Sequence, residues 1–260
     1  MKRKEIKRQY KEKQRELKAE YVRQKGRMRD AMYYDLDRNT EEKSERIPIN
    51  PPHRAPLEEI GNSVTHLVGA LLAAVALVLM LINAVGVREF VGAAIYSFGL
   101  ITMFTMSCLY HAFPPGSRVK RIFRRFDYSS IYLLIGATFA PILLCYVGGT
   151  FGLVYLIVQW VIIATGITFI AVFGPTRLKI LHTSLYLLLG WVGLMFLPLM
   201  ISNGDLGFLF YILGGGVVYS LGIIPFLLKG NVAHFIWHFF VLGGAVVQWV
   251  GVYLTIYLNM

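Results

Sequence analysis

Seven long apolar runs fill nearly all of the chain after residue 60. A helix crosses the hydrocarbon core of a bilayer in about 20 apolar residues, so each run is long enough to span a membrane. Hydrocarbon cannot hydrogen-bond the backbone, which leaves helices or a closed β-barrel, and a barrel would show short alternating segments. The sequence therefore predicts an all-α membrane protein, a seven-transmembrane helix bundle that is multi-pass in the cell membrane. The spans are expected at 62–84, 91–113, 127–147, 152–173, 181–202, 206–228 and 232–258.

The uneven distribution of charge predicts the orientation of the bundle. The net charge is +11, and 17 of the 26 Lys and Arg residues precede residue 55. The loops after the second, fourth and sixth runs carry eight further basic residues, whereas the opposite loops carry only Arg88. Because basic loops remain on the cytoplasmic side, we expect the N-terminus in the cytoplasm and the C-terminus outside.

The composition also divides the chain at about residue 56. Residues 1–56 form a basic cytoplasmic tail that ends in a Pro-rich linker, and residues 57–260 form the transmembrane domain. The tail has too few large apolar residues for a core of its own, so one interpretation is a solvated segment that fixes topology. The alternative is adsorption to an anionic lipid surface through its basic residues. No nucleic-acid partner is expected, because ten acidic residues weaken the field of the tail.

Two histidines, His234 and His238, begin the last apolar run. Four residues make about one helical turn, so both rings fall on one face. A buried imidazole needs a partner in hydrocarbon, and a metal ion can satisfy two rings at this spacing. The alternative is that two unrelated histidines lie near the membrane interface. The expected orientation places His111, at the end of the second run, and Asp127, at the start of the third, at the same depth.

Three histidines with an open position are the protein part of a catalytic zinc site, and His111, His234 and His238 can supply the nitrogens. Asp127 is then a candidate to hold a water or to act as general base. Ser107, one turn before His111, is a candidate to bind the water or a developing oxyanion. The alternatives are a helix N-cap for Asp127 and a hydroxyl bonded to its own backbone for Ser107.

A second polar cluster begins the first run. Glu59, Asn62 and His66 occur at i, i+3 and i+7, so they line one helix face. We interpret them as groups that support the metal ligands or face the substrate. The alternative is helix capping and anchoring at the interface. His182 lies at the same level beside Lys179, and we interpret it as an ordinary boundary histidine.

Taken together, in this order and on seven spans, these motifs resemble the hemolysin III proteins. That family is the bacterial branch of the progestin and adiponectin receptor superfamily, to which the alkaline ceramidases are related. The resemblance covers about residues 57–258 and leaves the basic tail outside. The matching pieces are Glu59-x-x-Asn62-x-x-x-His66, Ser107-x-x-x-His111 with Tyr110 before the histidine, Asp127, and His234-x-x-x-His238.

The resemblance implies a Zn²⁺ ion held by His111, His234 and His238 near the cytoplasmic face. It also implies a water between the metal and Asp127, with Ser107 beside it. Relatives of this kind are lipid-amide hydrolases, receptors or, by the family name, cytolysins.

The chain departs from the family pattern at two positions. Tyr128 follows Asp127 where relatives often have His, and Ala140 precedes Pro141 where relatives often have Thr. These departures affect details of the pocket and leave the three metal ligands unchanged.

Our first functional hypothesis is a zinc-dependent intramembrane hydrolase of lipid amide or ester bonds. A lipid substrate or ligand could reach such a site laterally, from the bilayer. The second hypothesis is a non-enzymatic membrane receptor or sensor in which zinc ties helices together. A cytolysin is the third, but a packed bundle of spans gives it little physical support.

Overall fold

The computed structural model describes residues 5, 8–21, 23, 24, 28, 54–228 and 232–259. The chain divides into two compact units, Met1–Asn50 and Pro51–Met260. Residues 8–21 of the first unit are helical and exposed. Pro48, Pro51 and Pro52 of the expected linker lie outside the described residues.

The described part of the second unit contains seven helices that are long and apolar enough to cross a membrane, and no strand. This confirms the predicted all-α bundle. The helices are α1 (Pro56–Ile82), α2 (Val87–Ala112), α3 (Arg118–Val147), α4 (Gly149–Phe173), α5 (Lys179–Ser202), α6 (Leu206–Leu227) and α7 (Ala233–Tyr257).

The start of α3 differs from the prediction, and the difference matters for the site. The third span was expected to begin at Asp127, but α3 begins at Arg118, where the Ser117 side chain accepts a hydrogen bond from the Lys120 backbone at 3.1 Å. The prediction that Asp127 begins the helix is therefore wrong, and so is its alternative role as an N-cap. Apolar patterning marks the part of a helix that lipid can cover, whereas a side-chain cap can start the helix earlier, among charged residues.

Lys120 and Arg124 consequently lie within α3 and not in a loop, and both are buried. The first helix also begins earlier than predicted, because α1 starts at Pro56 and not at residue 62. Proline suits this first helical position, because its missing N–H would have no partner there. Glu59 therefore sits in the first turn of α1 and not in front of the span.

The packing order of the helices brings the two ends of the bundle together. Consecutive helices pack side by side at α1–α2, α2–α3 and α6–α7, and α7 also packs against α1 and α3. Glycine permits the close approaches. A Cβ added at Gly69 of α1 would lie 2.6 Å from the Phe104 ring of α2, and one at Gly244 of α7 would lie 2.9 Å from the Tyr219 ring of α6. The ends of α1, α2, α3 and α7 thereby form one polar layer.

Candidate metal centre

The structure brings together the three histidines that the sequence predicted as metal ligands. His111 lies in the last turn of α2, and His234 and His238 lie in the first two turns of α7. One ligand nitrogen from each ring lies within 4.8 Å of the others, close enough to hold a metal ion. His111 and His238 are buried and His234 is half-buried.

The partner of His111 fixes which ring nitrogen faces the centre of the cluster. Its Nδ1 lies 2.5 Å from Oε2 of Glu59, and Oε1 of the same carboxylate forms an ion pair with Nζ of Lys120 at 3.0 Å. A carboxylate oxygen accepts hydrogen bonds, so in this arrangement Glu59 accepts and His111 Nδ1–H donates. The Nε2 lone pair of His111 is then available, as in carboxylate–histidine–metal arrangements.

Thr65 likewise fixes which ring nitrogen of His238 carries the proton. Its hydroxyl donates to the carbonyl oxygens of Gly61 and Asn62, at 2.9 and 3.0 Å. A hydroxyl has one hydrogen, so toward His238 Nδ1, at 3.4 Å, the Thr65 oxygen can only accept. His238 therefore carries its proton on Nδ1, and its Nε2 lone pair is available as well.

The distance between two of the rings fits a metal. Nε2 of His234 lies 3.3 Å from Nε2 of His111. A tetrahedral metal with metal–nitrogen bonds of about 2.0–2.1 Å holds two nitrogens about 3.3–3.4 Å apart. Because His111 presents a lone pair toward His234, a cation bound to both nitrogens satisfies them together. The donor set and its spacing thus suit a metal that binds imidazole.

Asp127 and Ser107 belong to the same polar layer, and Ser107 lies one turn before His111 on α2. Both side chains are buried, and they are close enough to interact with each other. The cations whose charges act on the Asp127 carboxylate are Arg54, Lys120 and Arg124. Asp127 is not among the three residues whose ligand atoms lie within 4.8 Å of one another. Its place in the layer suits a group that acts on a substrate or a water.

Asn62 and His66 line the same face of α1 as Glu59, as predicted from their spacing, and both are fully buried. Asn62 Nδ2 lies 3.4 Å from His111 Nδ1. The His66 ring stacks on that of His238 with a centroid distance of 3.7 Å, and its edge meets Phe104. Neither ring nitrogen of His66 has a hydrogen-bond partner among the described residues. These contacts do not support the alternative of helix capping.

His182, which we interpreted from the sequence as a boundary histidine, lies in the first turn of α5. It is buried, and its Nδ1 lies 3.0 Å from the hydroxyl of Tyr132. It is not one of the three histidines that form the cluster. The two departures from the family pattern lie at different levels of α3: the Tyr128 ring, next to Asp127, packs 6.3 Å from that of Phe226, whereas Ala140 is fully buried near the other end of the helix.

The sequence analysis missed Lys120 and Thr65 as parts of the site. Lys120 was counted as a loop cation, yet its side chain is 1% exposed and also reaches the Phe113 carbonyl at 3.1 Å. The signal available in the sequence was Ser117, three residues before Lys120, as a cap that would start the helix there. Nothing in the local sequence of Thr65 indicates that it meets α7.

Two cavities border the cluster. An apolar cavity of about 100 Å³ lies between α3, α5, α6 and α7. Phe226 lines it, and the ring of Phe226 lies 6.5 Å from that of His234. A second cavity opens beside His111 and Glu59 and is also lined by Arg54. His111 itself lines the second cavity, whereas the apolar cavity meets the cluster through the Phe226 ring.

We expect Glu59→Gln to weaken metal binding by about 10- to 100-fold, the usual cost of losing a group that orients a ligand. The matched control is Glu58→Gln, because Glu58 pairs with Arg54, at 3.5 Å, and not with a histidine. Competition with a chelator of known affinity measures both variants. Equal affinities for the two variants would contradict the orienting role of Glu59.

The sequence is similar to those of a known protein family and of several characterised proteins. The sequence model of a family described as haemolysin-III related matches residues 55–249, which include every residue of the cluster. The hemolysin-3 homolog of Bacillus subtilis is 36% identical over 193 residues, covering 72% of this chain and 89% of the relative. Hemolysin-3 of Bacillus cereus is 34% identical, covering 72% and 87%. The monocyte to macrophage differentiation factor of Homo sapiens is 27% identical, covering 65% and 72%.

Proposed function

This chain belongs to the hemolysin III family of multi-pass cell-membrane proteins, and we propose that it is a zinc-dependent hydrolase of lipid amide or ester bonds. The observation that carries the proposal is the convergence of three imidazole nitrogens in the layer where the buried Asp127 carboxylate meets Ser107, one turn before His111. Three nitrogen ligands leave a fourth position open, as catalytic zinc sites do and closed structural sites do not.

Zinc is the metal that suits three histidines in a reducing cytoplasmic layer, where copper is scarce and oxygen-seeking metals prefer carboxylates. When bound, zinc polarises a carbonyl and lowers the pKa of water to about 7, which is the chemistry that hydrolysis needs. His111, His234 and His238 would bind it, and Glu59 and Thr65 would orient two of those rings.

The remaining steps fall to side chains of the chain itself. Asp127 accepts a proton from the attacking water while the water oxygen bonds to the substrate carbonyl carbon. The Ser107 hydroxyl donates to the oxygen on which negative charge develops. When the bond to the amine or alcohol breaks, Asp127 returns the proton to that leaving group. Atoms and charges balance, and the products are a fatty acid and an amine or alcohol.

The surroundings of the site favour a lipid substrate. The apolar cavity lined by Phe226, whose ring lies 6.5 Å from that of His234, suits part of an acyl chain within the bundle. The cavity beside His111 admits water and lets a polar product leave.

A second candidate function is a membrane receptor or sensor with a structural metal. It is favoured by the position of the ligands on two different helices, α2 and α7, which a metal would tie together. In that case removal of the metal would loosen the bundle and not only stop a reaction.

Release of fatty acid by the purified protein tests the two candidates. The protein in nanodiscs is offered a panel of N-acyl sphingoid bases, N-acyl amines and acylglycerols, and mass spectrometry follows the products. We expect release that stops on chelation and returns with Zn²⁺. A folded, zinc-loaded protein that cleaves none of these lipids would contradict the hydrolase, and loss of folding on chelation would favour the sensor.

A further inference from the structure

The N-terminal unit contains a helix with an unusual exposed face. Residues 8–21 are helical, and three large side chains on it are exposed: Tyr10 by 64%, Leu17 by 58% and Tyr21 by 62%. Their separations of seven and four residues place them on one side of the helix. Gln14 lies on the same side, and its amide donates to the Tyr10 hydroxyl at 3.0 Å. We call this stripe of Tyr10, Gln14, Leu17 and Tyr21 the aromatic face.

The charges of the helix are arranged around the aromatic face. With about 100° of rotation per residue, Lys11 and Lys18 fall along one edge of the face and Lys13 along the other. Glu20 also falls at an edge, whereas Glu12 and Glu16 fall on the opposite side of the helix. Arg8 and Arg15 lie on that opposite side as well, where Arg8 pairs with Glu12 at 3.5 Å.

We propose that the aromatic face of this helix binds the surface of a bilayer that contains anionic phospholipids. Lysines that flank an apolar stripe attract anionic headgroups while the stripe enters the boundary with the acyl chains. Tyrosine is favoured at that boundary, because its ring is apolar and its hydroxyl can stay hydrated among the headgroups. The seven spans anchor the chain in a membrane, so the helix is tethered to a bilayer by its own backbone.

The charges favour a lipid surface over a second copy of the chain. Spacing of four and three residues along the aromatic face is also the pattern of a coiled coil. In a parallel pair of such helices, Lys13 of one copy would lie opposite Lys18 of the other. This like-charge contact opposes self-association, whereas an anionic surface attracts both lysines.

Spin labels on the full-length protein test the depth of the helix. In a Cys108→Ser/Cys145→Ser background, one label replaces Leu17 on the aromatic face and another replaces Glu12 on the opposite side. In nanodiscs with phosphatidylglycerol, we expect the Leu17 label to be shielded from a water-soluble nickel chelate and the Glu12 label to remain accessible. In nanodiscs of phosphatidylcholine alone, both labels should be accessible.

Two charge-reversal variants supply the matched control. Lys11→Glu/Lys13→Glu/Lys18→Glu changes the edges of the aromatic face, and Arg8→Glu/Arg15→Glu/Arg23→Glu makes the same change in net charge elsewhere. We expect the lysine variant to lower the ratio of membrane-bound to free helix about 100-fold, from the loss of three lysines, and the arginine variant to lower it much less.

Three results would overturn the proposal. They are equal effects of the two variants, shielding of the Leu17 label that does not depend on anionic lipid, and spin–spin broadening between Leu17 labels, which would identify a second copy as the partner. None of these readouts involves the metal centre or hydrolysis, so the proposal stands or falls independently of the proposed activity.

Discussion

Replacing His234 and His238 together with alanine is expected to abolish metal binding. The purified wild-type protein should contain one zinc ion per chain, and the double variant none. The physical reason is that a single remaining nitrogen, from His111, cannot hold the ion against water, whereas three nitrogens within 4.8 Å of one another can. Elemental analysis of protein purified without added metal measures the stoichiometry.

His182→Ala is the control for this experiment. His182 is a buried histidine near the same end of the bundle, but it pairs with Tyr132 and lies outside the cluster. This variant should keep its zinc. If the double variant also kept its zinc, the metal would have to lie elsewhere. A folded wild-type protein without metal would leave the three histidines as buried polar residues and would remove the basis for the hydrolase.

Asp127→Asn is expected to reduce turnover by about 10²- to 10⁴-fold, the usual contribution of a general base, while one zinc ion per chain remains. The asparagine has nearly the shape of the aspartate, so the packing around Ser107 is kept, but it cannot accept the proton of the attacking water. Release of fatty acid and zinc content are measured on the same sample, which separates loss of chemistry from loss of the metal.

Asp205→Asn is the matched control for the loss of a carboxylate. Asp205 precedes α6, and it accepts a hydrogen bond from the Tyr146 hydroxyl at 2.6 Å, outside the histidine layer. This variant should keep full turnover. Full activity of Asp127→Asn would contradict its role as general base. A variant that loses zinc or unfolds would show instead that Asp127 supports the structure of the centre.

The sequence predicted the positions of the seven spans more accurately than the start of α3. Hydrophobic runs placed all seven spans, because lipid forces both helix formation and apolar side chains over a fixed length. The same runs misplaced the start of α3, since the residues from Arg118 to Phe126 are too charged to count as a span. These residues are helical because the Ser117 side chain caps the helix and because the buried Lys120 forms an ion pair with the Glu59 carboxylate.

The sequence by itself determined the bundle, the family and the choice of the three histidines. Alternating orientation of consecutive spans brings the end of α2 and the start of α7 to one depth, so topology alone put His111 in the layer of His234 and His238. Only the tertiary structure decided which side chains of that layer are hydrogen-bonded to one another. The pairing of Glu59 with His111 and of Thr65 with His238 depends on α1 packing between those helices with one particular rotation. Rotation and neighbour choice are set by packing of the whole bundle, as at Gly69 against Phe104, and local sequence does not encode them.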